Sequence, residues 1–333
     1  MPVIDPDDYD LACEVMHDAT NFAVAARRGL PADAIVQKSD GSLVTAVDVA
    51  LQVFILTRLE AIFGEIPVVA EEDMHSIGGK PAAEAHCRAL LRAWGFDGGE
   101  SAIERALSCG GYAGSTRGMD AVWVLDPIDG TQGFVDGDHW CPCLALLSDG
   151  EPVFACNGHP TLRGGALLSA SRGEGAWWYP LAGGECTEAE VSQEPLAAGE
   201  SVCVVGPARA TPNQIAVRRA VGESTGHPCR LVHSDSQAKY AHVVAGLADV
   251  AYSRRGGGPG KYIWDHAGGI LIAREAGAWV ADTDGSDIDC SQGRRLSVNR
   301  AVICAARGVG PLIAKELAAR DLAEGFVPAR GVR

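Results

Sequence analysis

Two carboxylates three residues apart, Asp126 and Asp129, close the apolar run Trp123-Val124-Leu125 and are followed at once by Gly130-Thr131. Pro127 fixes the backbone between the acids, and Gly130 lets the main chain approach a ligand closely. A turn of this kind holds hard cations through carboxylate and carbonyl oxygens, and its N–H groups suit phosphate. A second apolar run, residues 66–70, also ends in acid, at Glu71-Glu72-Asp73. Asp48 precedes a stretch, residues 49–56, with the spacing of a buried helix, and Asp265 opens a small-residue helix that closes at Gly277. Taken singly, Asp48 and Asp265 read as helix N-caps; beside two acid-tipped strands they read as members of one cluster. Clustered carboxylates are costly unless a positive charge neutralises them. Oxygen-only donors favour Mg²⁺, Ca²⁺ or Mn²⁺ over zinc or copper, and two such ions about 4 Å apart suit in-line displacement at phosphorus.

These acids have to be carried by ordinary elements. Residues 9–29 show helical spacing through Leu11, Val15, Ala19, Phe22, Ala23 and Ala26 and predict the first helix. Residues 80–118 mix helix-forming runs with glycine and predict a variable lid ahead of the Asp126 strand. Beyond it, residues 140–147 and 152–157 predict strands joined by a Ser148-Asp149-Gly150 turn, and residues 165–170 and 175–179 predict a second pair. Residues 181–200 are small and polar, a loop region; from about 201 strand and helix alternate, as in an α/β layer.

A chain of 333 residues with 47% hydrophobic and 21% charged residues has the core of a folded protein, which excludes a disordered one. Its net charge of −15 argues against a nucleic-acid polymer or an anionic membrane surface as partner, since both need a basic face. It leaves room for a small phosphorylated substrate, because bound metal inverts the local charge. Eleven scattered cysteines, an odd number, fit a reduced cytosolic protein, and the segment 1–30 lacks a signal-peptide profile. Cys141 and Cys143 form the one close pair, without companions at zinc-finger spacing, and read as packing residues on a strand. Residues 256–261 lack the leading glycine and the closing Ser/Thr of a phosphate loop and read as a mobile loop near the site. The acids of residues 282–289 lack the closing Glu of an EF-hand and read as a solvated turn.

Four blocks carry a resemblance that spans nearly the whole chain: Lys38-Ser39-Asp40-Gly41-Ser42-Leu43-Val44-Thr45 through Asp48; Glu71-Glu72-Asp73; residues 123–134; and residues 264–277. In this order they resemble the inositol monophosphatase superfamily of Mg²⁺-dependent, lithium-sensitive phosphatases. A fifth block, Asp235-Ser236-Gln237-Ala238-Lys239-Tyr240 with Gly246-Leu247-Ala248-Asp249-Val250, narrows the resemblance to the 3′(2′),5′-bisphosphate nucleotidases of the fungal and plant type. The resemblance implies a layered α/β/α/β/α sandwich of the inositol monophosphatase and fructose-1,6-bisphosphatase type, divided into a metal-binding α+β half (1–158) and a substrate-binding α/β half (159–333). It implies two or three Mg²⁺ ions, with Mn²⁺ as a substitute: one held by Glu71, Asp126 and the Ile128 carbonyl, a second by Asp126, Asp129 and Asp265, a looser third at Glu71. Asp48 and Thr131 then orient the attacking water and take its proton. Gly130 and Thr131 offer amides to phosphate, Ser236 and Lys239 meet sugar and phosphate, and Arg254 or Arg255 meets a second phosphate. The substrate so implied is 3′-phosphoadenosine 5′-phosphate.

Several positions depart from the nucleotidase pattern. Gln132 stands where Lys or Arg is usual, only a displaced Arg209 remains of the base-side Ser-Arg segment, Ala70 replaces Gly, and Gly268-Gly269 replaces Ala-Ala or Ala-Gly. They bear on recognition of the 5′-phosphate and adenine, not on the acids. An inositol phosphate, a sugar phosphate or a modified nucleotide stays open as substrate, as does a non-catalytic nucleotide sensor.

Overall fold

The computed structural model describes residues 4–109, 111–206, 212–254 and 260–323. Helix α1 (Tyr9–Arg27) is followed by the paired strands β1 (Ile35–Gln37) and β2 (Leu43–Thr45), then by α2 (Ala46–Phe63), β3 (Val68–Ala70), α3 (Pro81–Ala93) and α4 (Gly99–Cys109). Strand β4 (Val122–Asp129) passes through the short helix α5 (Thr131–Asp136) into a meander of β5 (Cys141–Ser148), β6 (Glu151–His159), β7 (Ala166–Ser171), β8 (Ala176–Pro180) and β9 (Thr187–Glu188). The remainder alternates: β10 (Val202–Gly206), α6 (Pro212–Thr225), β11 (Cys229–His233), α7 (Ala238–Val244), β12 (Val250–Arg254), α8 (Ala267–Glu275), β13 (Trp279–Ala281), β14 (Ala301–Ala305) and α9 (Gly310–Ala323).

Strands β3 to β9 form a seven-stranded sheet in sequence order, β10 to β14 form a five-stranded sheet ordered β11-β10-β12-β14-β13, and β1 and β2 pair separately. Side-chain alternation along β4 sets the layering. Trp123 and Leu125 enter the core shared with α1 and α2, while Val122 and Val124 enter the core shared with α7 and α8. Both faces of the strand are covered, which is why it reads as an unbroken apolar run. Beyond α7 and α8, Val202, Val204 and Val250 of the second sheet pack on Val217 and Val221 of α6 and Ile313 of α9. The stack is therefore α/β/α/β/α, as the resemblance implies.

Some expectations meet a different outcome. The chain does not change sheets at residue 158: β6 ends at His159, and β7, β8 and β9 extend the same sheet to Glu188. A division at 158/159 thus falls inside the seven-stranded sheet, and the second sheet begins with β10. The stretch predicted as a lid is core-forming, since Cys87 and Leu91 of α3 and Ala106 and Leu107 of α4 are buried with α2. The acidic turn near residue 282 is only partly solvated. Asp282 is buried and accepts from the amides of Thr283, Arg300 and Ala301 at 2.7, 2.8 and 2.9 Å, tying the turn to the start of β14.

The glycine pair in α8 has a packing reason. A Cβ at Gly269 would lie 2.1 Å from Cδ2 of Tyr240, and one at Gly268 would lie 2.7 Å from Oδ1 of Asn157. Both glycines let α8 press between the two sheets, and Tyr240 in turn places its hydroxyl 2.6 Å from Nδ1 of His266. Gly269→Ala gains helix propensity worth about 1 kcal/mol but overpacks a closed core at a cost of about 3 kcal/mol. The expected net loss is roughly 2 kcal/mol, read as a lower urea midpoint with an unchanged slope.

Candidate active site

Parallel pairing of β3 with β4 sets Ala70 opposite Leu125, so the residues that follow, Glu71 and Asp126, emerge side by side. The Glu71 amide donates to the Leu125 carbonyl at 3.2 Å and extends that register by one step. The pairing of β4 with β5 is interrupted by a bulge between Asp126 and Asp129, where Ile128 N–H donates to Asp126 Oδ1 at 3.1 Å. The bulge turns both acids to one end of the strand. Gly130 then takes φ +86°, and a Cβ there would meet Cβ of Ser236 at 2.9 Å and the His139 carbonyl at 3.1 Å. Only glycine suits both the backbone and the space.

Asp265 reaches the same place from the middle layer. Carboxylate oxygens of Asp126, Asp129 and Asp265 lie within 4.8 Å of one another. Asp265 is not the N-cap of α8; His266 occupies that position, without a side-chain capping bond. Nor is Asp48 the cap of α2. Thr45 caps that helix, and Asp48, at N3, completes a capping box by accepting from Thr45 N–H at 2.9 Å. Its other oxygen, Oδ1, lies 3.0 Å from the Thr131 hydroxyl, which also stands 3.2 Å from the Ile128 carbonyl. That hydroxyl has one proton and serves one acceptor at a time.

Burial dominates the electrostatics. Asp48, Asp126 and Asp129 are 0%, 1% and 8% exposed. Burial pushes Asp126 well above the usual carboxylate range, and the charges of Glu71, Asp129 and Asp265 push it further. Asp129 is raised mainly by burial, with Lys239 opposing. Asp48 and Glu72 are each raised to about 7, first by burial and next by a neighbouring acid, Glu72 in the first case and Glu71 in the second. For Lys38, burial works against the charged form, but Glu71 and Glu72 outweigh it and raise its pKa; its Nζ lies 3.0 and 2.8 Å from their Oε1 atoms.

The substrate-side residues divide. Ser236 is buried under Gly130, and Lys239 Nζ donates to the carbonyls of Ser236 and Asp265 at 3.3 and 3.5 Å, beside the acids. Arg254 ends β12, opposite Ala301 in register. Arg209 and Arg255 lie outside the described residues. Gln132 is exposed, its amide donating to Asp136 Oδ2 at 2.7 Å along α5. Sequence reasoning gave no role to three residues that shape the site. Lys38 bridges the Glu pair, and Gln52 clamps Glu72 by accepting from its N–H at 3.0 Å and donating to its carbonyl at 2.6 Å. Gln237 donates from its backbone to Asp129 Oδ2 and from its side chain to the Trp264 carbonyl at 2.6 Å. It accepts from Gly269 N–H at 2.7 Å and from Asn157 at 3.3 Å. For Gln52 and Gln237 the signal is a buried amide, which has no periodicity to betray it.

A five-layered sandwich that gathers carboxylates from two neighbouring strand ends and from the helical layer behind them has the architecture of a phosphatase. The chain belongs to the inositol monophosphatase family, whose model matches residues 9–324. It is 31% identical over 312 residues to a 3′(2′),5′-bisphosphate nucleotidase of Emericella nidulans, covering 82% of this chain and 87% of that one. A nucleotidase of the same description from Schizosaccharomyces pombe is 30% identical over 303 residues, 82% of each chain. Among solved structures, the IMPase of Thermotoga maritima superposes with a TM-score of 0.63 at 19% identity, covering 96% of this chain and all (100%) of that one. Mycobacterium tuberculosis SuhB gives 0.58 at 21% identity, covering 96% and 97%. These two likenesses define the fold.

Proposed function

We propose that this chain is a divalent-metal-dependent phosphomonoesterase that removes the 3′-phosphate of 3′-phosphoadenosine 5′-phosphate, leaving AMP and inorganic phosphate. The observation that carries the reading is the buried Asp48–Thr131 contact at the rim of the Asp126, Asp129 and Asp265 cluster. Likeness to the nucleotidases along most of the chain supports the substrate class.

The donor set fits a hard cation. All its side-chain donors are carboxylates, they are buried or half-buried, and of the two ammonium groups beside them Lys38 shares Glu71 with the set while pairing with Glu72, and Lys239 lies on two carbonyls. Glu71, Asp126, Asp129, Asp265 and the Ile128 carbonyl would hold Mg²⁺, with Mn²⁺ as substitute, and an ion held there would supply neutralisation of phosphate charge, support of the leaving oxygen and a lowered pKa for a bound water. Asp48 and Thr131 orient the attacking water through their paired oxygens, and Asp48 receives its proton. Gly130 and Thr131 open α5, where helix N–H groups lack intrahelical acceptors and suit phosphate oxygens. An ammonium has three N–H bonds, and two carbonyls account for two of those on Lys239; the third reaches substrate phosphate. Ser236, wholly buried under Gly130, backs the phosphate-binding turn instead of reaching the sugar, and Arg254 meets the second phosphate from the C-terminal half. Thiols that are free throughout the described residues suit action in the cytosol.

A second reading, a different small phosphate such as an inositol phosphate, is favoured by Gln132, which turns along α5 and brings no cation to the acids. Phosphate release with Mg²⁺ from 3′-phosphoadenosine 5′-phosphate, inositol 1-phosphate and inositol 1,4-bisphosphate, each with and without Li⁺, separates them. The nucleotide is expected to lead in kcat/KM by at least about tenfold, with Li⁺ inhibiting. Lys239→Ala should lower kcat/KM for it by about tenfold to a hundredfold, since a charge-assisted hydrogen bond is lost. A lead for inositol 1-phosphate sinks the nucleotide reading.

A further inference from the structure

Next to the hard-donor cluster lies a second set of different chemistry. Asp129 Cα pairs across β4 and β5 with Cys141, and Asp126 with Cys143, so the bulge that bends the acid strand sets a thiol opposite each acid. Ligand atoms of Asp129, Cys141 and Cys143 lie within 4.8 Å of one another, and the two sulfurs are 3.5 Å apart. Two sulfurs bound to one tetrahedral ion at about 2.3 Å stand roughly 3.8 Å apart, so the two thiols already stand close to the separation an ion would set. The two cysteines are buried, at 0% and 2% exposure, and Asp129, shared with the acid cluster, is 8% exposed. A dication drawn to the cluster by its field therefore meets the thiols through Asp129.

We infer that Asp129, Cys141 and Cys143 form a binding site for a thiophilic divalent ion, Zn²⁺ or Cd²⁺, distinct in chemistry from the oxygen-only set but sharing Asp129 with it. Binding converts two thiols to thiolates and releases their two protons to solvent; the ion's charge replaces them, and no electron is transferred. Soft sulfur donors select such ions against Mg²⁺. Occupation withdraws Asp129 from the hard-ion set and so inhibits the Mg²⁺-dependent reaction. That consequence rests on the proposed function; the binding itself does not.

The test is a Cd²⁺ titration of the full chain, without substrate or Mg²⁺ and with a phosphine reductant, followed by thiolate-to-cadmium charge-transfer absorption. One band saturating at about one Cd²⁺ per chain is expected. Cys141→Ala and Cys143→Ala should each weaken binding by at least about tenfold, and Asp129→Asn should weaken it while the band remains. Cys13→Ala, which breaks the separate pairing of Cys13 with Cys156, should change nothing. Absence of a band at stoichiometric Cd²⁺, or a band unaltered by Cys141→Ala, overturns the inference. Should Cys143→Ala fail to fold, Cys141→Ala and Asp129→Asn decide it. Because the titration contains no substrate, a negative result here leaves the phosphatase reading standing, and an inactive protein with a normal band leaves this site standing.

Discussion

Asp126→Asn is expected to lower phosphate release by at least about a thousandfold, some ~4 kcal/mol of transition-state stabilisation, while making the metal-free protein more stable. The two effects have one cause. Asp126 sits in the middle of the acids, and its ionised form is opposed by burial and by Glu71, Asp129 and Asp265. An amide of the same shape removes that opposition but offers a cation no charge. Thermal melts in EDTA should therefore give the variant a higher Tm than the parent, with the order reversed when millimolar Mg²⁺ stabilises only the parent. Asp129→Asn and Asp265→Asn should show the same loss of turnover with little change of fold. Parent-like turnover in any of the three refutes the metal assignment, and a collapsed Tm in EDTA refutes the electrostatic account.

The second large effect concerns pH. In the metal-free protein Asp48 and Glu72 are raised to about 7 from ordinary values of 3.8 and 4.5. Between those limits the folded chain binds more protons than the unfolded one. The stability those protons confer is complete below the ordinary values and disappears as pH rises through about 7. His159 works in the opposite sense. Burial holds it at about 3 against 6.5, so its contribution is present above pH 6.5 and is lost as pH falls. That histidine is common to metal-free and metal-loaded protein, so the difference between them cancels it. A divalent ion on the neighbouring Glu71 and Asp126 would supply the positive charge that makes protons on Asp48 and Glu72 unnecessary, and its stabilising effect should grow with pH. Between about pH 5.5 and pH 8 the gain in Tm on adding Mg²⁺ should increase by roughly 5 °C. A gain that stays level or shrinks toward alkaline pH would rule out proton–metal competition in the cluster.

What the sequence disclosed followed the range of each signal. An apolar run ending in acid is local, so the ends of β3 and β4 were legible without tertiary knowledge. The hairpins of the meander were legible for the same reason, with Asp149 and Gly150 both at positive φ in the turn between β5 and β6. The division of the chain was not: β7 continues the alternation of β6, and nothing in the pattern marks whether a strand joins the old sheet or starts a new one. Asp48 and Asp265 were legible as members of the acid cluster only through the two acid-tipped strands beside them; that Thr45 caps α2 with its hydroxyl and His266 holds the cap position of α8 left no local trace. The approach of Cys141 and Cys143 to Asp129 depends on a bulge, and a one-residue irregularity has no compositional trace. The Asn157–Gln237–Gly269 network joins residues far apart in the chain, and only the packing of α8 on β6 brings them together.

Gln237 links the catalytic acids to the melting of the molecule. One residue ties Asp129 to β6, to the turn before α8 and to the first turn of α8 itself. The spacing of Asp129 from Asp265 therefore cannot loosen while the layer between the sheets stays packed. Heat inactivation should follow the cooperative loss of tertiary structure, with no warmer interval in which a folded but slack enzyme persists.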